Sequence, residues 1–171
     1  MALRRNIGWA VVVVAAALVQ TTWLDAIKFQ GVLPDLTLLL IVFFAITDGE
    51  ERAMYTGVLG GIYQDVAGNT ALGHHVLCHV IVGYAVGRLA KRLVLDHPVI
   101  KVGLTMGASL ADGLLFTMIQ YVQNPAMSAL RMIVATVVPG AFYTALMTPL
   151  VFLALSRAFR RGEEALPGGT A

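Results

Sequence analysis

The chain reads as a series of apolar runs divided by short polar or charged breaks. The first run follows Arg4 and Arg5, continues through Trp23 and Leu24, and predicts a span over about residues 6–24. Its start imitates a secretory signal, with Ala15-Ala16-Ala17 where a small-residue cleavage site would stand. The stretch nevertheless runs on far enough to cross a membrane and is read as a retained helix, with Trp23 as an aromatic anchor at the far interface. A second span is expected over about residues 34–47. Pro34 and Asp35 open it, a proline and an acid that both suit a helix start. The run from Leu36 to Phe44 is almost wholly aliphatic and aromatic, which predicts a largely lipid-facing helix. Beyond the charged turn Asp48-Gly49-Glu50-Glu51-Arg52, further spans are expected over about residues 53–66, 72–89, 99–122 and 128–156. In the last of these, Pro139 and Pro149 are expected kink points.

The third run is the one the others are organised around: Gly57-Val58-Leu59-Gly60-Gly61-Ile62-Tyr63-Gln64-Asp65. A helix over about residues 53–66 rises only about 21 Å, short of the roughly 30 Å hydrocarbon core, so protein should cover its end. Gly57, Gly61 and Asp65 recur at every fourth position and share one helix face. Small residues there let a second backbone come close, and a carboxylate on that face has no partner in hydrocarbon. The face should therefore look inward, with other apolar segments wrapped around it. It is either a packing seam with Asp65 hydrogen-bonded at its end or a surface that binds a solute or ion. In the fourth span, Gly83-x-x-x-Gly87 repeats the small-residue spacing on the face that carries His75 and His79. In the fifth, Thr105, Ser109 and Asp112 form a polar stripe. Asp112, near mid-span, needs a partner such as Ser109, Tyr143, Thr144 or a histidine of the fourth span.

Composition excludes a soluble domain: 58% of residues are hydrophobic and 13% charged, where soluble domains carry roughly 25% charged. The expected fold is an all-α integral membrane protein of six transmembrane helices, one domain over residues 1–162 with a flexible cytoplasmic tail over 163–171. With six spans, all of the 12 basic residues except Lys28 and Arg131 fall on one side. That places both termini in the cytoplasm. The basic residues sit in short clusters between apolar runs, not in a nucleic-acid-binding surface. The single cysteine, Cys78, rules out an intramolecular disulfide.

His74, His75, Cys78 and His79 invite a metal reading, with Asp65 as a further ligand if the third and fourth spans meet. No Glu follows the first histidine as it does in zinc peptidases. These side chains are read instead as polar groups near the outer interface, bonded to neighbouring helices or water. Ser109 with Asp112 lacks an evident base, and no phosphate-cradling loop is present. No enzyme activity, metal or cofactor is expected.

The order Gly57-x-x-Gly60-Gly61-x-x-x-Asp65, then Gly68-Asn69-Thr70-Ala71-Leu72-Gly73 and a long apolar helix with Tyr84, resembles the core signature of the rod shape-determining protein family MreD. Leu33-Pro34-Asp35-Leu36 and Asp112 agree with it, as do the chain length and the basic C-terminal tail. The three-histidine cluster is not part of that likeness. The resemblance implies a non-enzymatic bacterial inner-membrane scaffold of the cell-wall elongation machinery. Such a protein pairs with MreC, a single-span protein with a large periplasmic domain. Together they connect MreB filaments to the RodA glycosyltransferase and its partner penicillin-binding transpeptidase. Gly57, Gly60, Gly61, Asp65, Gly83 and Gly87 would form the partner or packing face. The family is also similar to the six-helix substrate-binding subunit of energy-coupling-factor transporters. That likeness supplies an alternative, a vitamin-binding membrane subunit using Asp65, His75, His79 and Asp112. Such a subunit expects an Ala-x-x-x-Ala docking face on the first span and aromatic-rich outer loops. Ala15-Ala16-Ala17 and the short outer loops fit these poorly, so the scaffold reading is preferred.

Overall fold

The computed structural model describes residues 2–22, 32–68, 71–93 and 97–164. Every regular element among them is helical: α1 (Ala2–Thr22), α2 (Leu36–Thr47), α3 (Glu50–Ala67), α4 (His74–Ala90), α5 (Pro98–Gln123), α6 (Ala129–Met132), and α7 (Val138–Glu164). A π-helical stretch, Ile133–Val137, joins α6 to α7 without a break. Trp23, Lys28 and Asn69, and the tail from residue 165, lie outside the described residues. Helix α7 runs to Glu164, past residue 162, where the domain was expected to end.

Helix α2 is the axis of the bundle. It touches α1, α3, α4, α5 and α7, and every residue from Thr37 to Ala45 is buried. This corrects the expectation of a lipid-facing helix. A helix that is apolar on all sides belongs in an interior, and here the interior is protein. With 12 residues, about 18 Å, α2 is also far shorter than a bilayer core, which a helix can be when neighbours cover its ends. The short helix is thus α2; α3 has 18 residues, more than its apolar run alone suggested. Asp35 is the N-cap of α2 and accepts the Leu38 N–H at 2.9 Å, so Pro34 precedes the helix. Around α2, Leu38, Ile41, Val42, Val82, Val86 and Leu104 form one apolar cluster. Val13, Leu40, Phe43, Phe44 and Leu155 form another, with Phe43 edge-on to Phe152 at 5.3 Å.

The two prolines of the last helix are accommodated differently. Proline at 139 lacks an N–H and crowds the carbonyl one turn back, and the wider π turn over Ile133–Val137 stands directly before it. Pro149 lies inside α7.

The surface inverts the usual pattern. Large apolar side chains point outward along whole helices: Ile7, Val11, Val14 and Leu18 on α1, and Phe142, Leu146, Leu150 and Leu153 on α7. Meanwhile Thr37, Thr56, Asp65, His79, Thr105, Asp112 and Thr144 are buried. Apolar outside and polar inside suits a hydrocarbon solvent, not water. Among the described residues, two helices are long and apolar enough to cross a membrane, Pro98–Gln123 and Ala129–Phe159; the apolar stretches Asn6–Gln20 and Leu36–Thr47 are shorter. The six-span count therefore goes beyond what helix length and composition establish.

Candidate functional site

Helices α3 and α4 make the tightest crossing. A Cβ placed on Gly57 would stand 2.9 Å from the His79 carbonyl, and one on Gly61 would stand 2.6 Å from the Val76 backbone. At the other end of the crossing, a Cβ on Gly87 would stand 2.5 Å from Glu50, and one on Gly83 would stand 3.1 Å from the Ala53 backbone. Gly60 meets the Thr37 methyl group of α2. The face expected to be a packing seam or a partner face is filled by the chain's own helices. A side chain at Gly57, Gly61, Gly83 or Gly87 would drive backbone from backbone.

Asp65 closes this seam. Its carboxylate accepts N–H bonds from Gly73 at 2.8 Å and from His75 at 3.0 Å, and the His75 Nδ1 lies at 2.8 Å. Gly73, the N-cap of α4, has φ +105° and no side chain to offer. The acid at the end of α3 thus satisfies the first N–H groups of α4, which a capping side chain would otherwise do. The histidines separate. His74 Nε2 lies 2.7 Å from Gln123 Nε2, His75 stacks on Phe116 at 4.4 Å while bound to Asp65, and His79 turns into the bundle. The His75 and His79 rings stand 6.0 Å apart between centroids, and Asp65 binds the first of them.

A second polar group forms where α1, α2, α3, α4, α5 and α7 meet. Asp35 Oδ1 accepts from Leu38 N–H, from Gln64 Nε2 at 3.1 Å and from Gln20 Nε2 at 3.4 Å. Its own N–H donates to Thr144 Oγ1 at 3.0 Å. Gln20 Oε1 in turn accepts from Thr37 N–H and Oγ1 at 3.1 and 3.2 Å. His79 Nε2 lies 3.7 Å from Asp35 Oδ2 and 3.7 Å from Asp112 Oδ2. Among the candidate partners of Asp112, the span-four histidine stands beside it, at a separation too long for a direct hydrogen bond. Of the rest of the polar stripe, Thr105 is buried and donates to the Lys101 carbonyl one turn back, and Ser109 is half-buried. Sequence reasoning missed Gln20, Thr37 and Gln64. Gln20 alone carried a signal, as the lone amide at the end of an apolar run.

The third feature lies outside. Helices α4 and α5 diverge into an open apolar groove of about 540 Å³, walled by Ile81, Ala85 and Leu89 on one side and floored by Gly103, Gly107 and Ala111 on the other. Gly103 and Gly107 have nothing within 4 Å of a Cβ position. The stripe recurs at every fourth residue, the spacing that lets a second helix backbone approach. The spacing is legible in the sequence, where no local signal says what would fill it.

The family model for rod shape-determining protein MreD matches residues 3–158. The chain belongs to the MreD family. No curated protein and no solved structure matches it. Family membership makes this a membrane protein and a non-catalytic component of rod-shape determination, associated with the Mre elongasome.

Proposed function

We propose that the chain is a six-span scaffold of the cytoplasmic membrane, with both termini in the cytoplasm, that seats the single transmembrane helix of MreC in the α4–α5 groove. Through MreC it would connect MreB filaments to RodA and its penicillin-binding transpeptidase partner. The observation that carries this reading is the open Gly103-x-x-x-Gly107-x-x-x-Ala111 stripe beside an apolar wall. From Ile100 to Leu115 the groove follows α5 for about 22 Å, enough for a transmembrane helix to lie along it. The alternative small-residue seam is filled from within, which supports the groove as the docking face. The placement of basic residues supports the orientation.

A photo-crosslinker at Ala111, with controls at Tyr55 and Phe142 on other outward faces, tests the placement. Capture of MreC from position 111 and not from the controls is the expected result. Capture from Tyr55 or Phe142 alone would move the docking face elsewhere. The transporter-subunit alternative predicts that a cytoplasmic ATPase pair or a tightly held vitamin co-purifies instead.

A further inference from the structure

We infer that Asp35, His79 and Asp112 form a binding site for one divalent transition-metal cation of the zinc class. One ligand atom from each lies within 4.8 Å of the others. His79 is fully buried, and neither ring nitrogen has a hydrogen-bond partner; Asp112 Oδ1 also lacks one. Buried polar atoms are almost always paired, so an unpartnered His79 Nε2 facing two carboxylates calls for an occupant between them. Two carboxylates and an imidazole that do not bond each other directly are costly to hold in a bundle interior.

Geometry favours an ion over a direct contact. His79 Nε2 stands 3.7 Å from each carboxylate oxygen. Ligands bound tetrahedrally at about 2.0–2.1 Å are spaced about 3.3–3.4 Å apart, so the group needs only to draw inward to reach zinc geometry. One imidazole and two carboxylates leave a fourth position for water, and this nitrogen-and-oxygen set suits zinc over calcium or magnesium. The outer shell is already built on one side. Leu38 N–H, Gln64 and Gln20 hold Asp35 Oδ1, which leaves Oδ2 facing His79. The ion would join the start of α2 to the middle of α5 and to α4, whatever occupies the outer groove. The set differs from the His75, His79 and Cys78 grouping that sequence spacing suggests.

The test uses the full chain purified in detergent and stripped with a chelator. Zn2+ is added, unbound metal is removed by gel filtration, and metal per chain is counted. The expected result is one Zn2+ per chain, a raised thermal midpoint, and affinity weakened by more than about tenfold in Asp112→Asn and in His79→Gln. His74→Gln and His97→Gln should bind as the wild type does. Because His79→Gln removes a buried side chain, Co2+ substitution in the unaltered protein provides a second readout. The expected spectrum is that of a low-coordinate ion without a thiolate charge-transfer band. Stoichiometry well below one, binding unchanged in Asp112→Asn, or a thiolate band from Cys78 would each overturn the assignment.

Discussion

Two stripes of small residues run along this bundle, and they have opposite fates. Gly57 and Gly61 on α3 face the His79 and Val76 backbone of α4, and Gly83 and Gly87 on α4 face Ala53 and Glu50 of α3, with no room for a side chain. Gly103, Gly107 and Ala111 on α5 follow the same spacing and face open space. The difference teaches that every-fourth-residue glycine marks where a backbone is able to approach, not whose backbone it is. The first stripe serves the fold. The second stays open in the fold, and in the proposed function it seats a partner helix.

The largest expected effect breaks the closed seam. Gly61→Leu places a side chain on the Val76 backbone and should abolish folding, read as loss of monodisperse protein in mild detergent and of a cooperative thermal transition. Wild-type yield and midpoint would dissolve the contrast between the stripes. Gly107→Leu should do the opposite, with the midpoint within a degree or two of wild type (roughly the scatter for exposed substitutions) and MreC recovery in a pull-down lost. A Gly107→Leu protein that unfolds, or that still recovers MreC in full, removes the groove from consideration.

Asp65→Ala should rank next. It orphans the Gly73 and His75 N–H groups, at about 1–3 kcal/mol for each unsatisfied donor, and Asp65→Asn should recover part of the loss. The check is the thermal midpoint of each variant against wild type. The smallest effect belongs to the ion pair that joins Glu50 of α3 to Lys91 just beyond α4. The hydrogen bond from Lys91 holds the Glu50 carboxyl below its ordinary value of 4.5. A depressed carboxyl contributes stability above that ordinary value and loses it as the pH falls toward the lowered one. Lys91 is exposed, so Lys91→Ala should change the midpoint less than Gly61→Leu or Asp65→Ala does. What difference it makes should vanish in acid. A Lys91→Ala midpoint difference that grows as the pH falls below 4.5 would reverse the sign.

Much of the seam was legible because helical spacing alone puts Gly57, Gly61 and Asp65 on one face, and Gly83 and Gly87 on one face of the next helix. The inward turn of Asp65 followed from the cost of a carboxylate in hydrocarbon. The burial of α2 was not legible: an apolar run reads alike whether lipid or protein surrounds it, and only its 12-residue length hinted that protein does. The polar junction was hidden for a different reason. Gln20, Asp35, Gln64, His79, Asp112 and Thr144 lie on six helices, and no local spacing relates them.

The amino-acid sequence by itself determined that the chain is helical, apolar on its outside, free of enzyme-like constellations and built on close glycine contacts, since those properties reside in composition and in the 3.6-residue period. The tertiary structure alone decided which helix is central, which glycine stripe is filled and which acids share a histidine. Those are matters of which surfaces meet, and helices of similar apolarity become distinguishable only when each one's neighbours are in place.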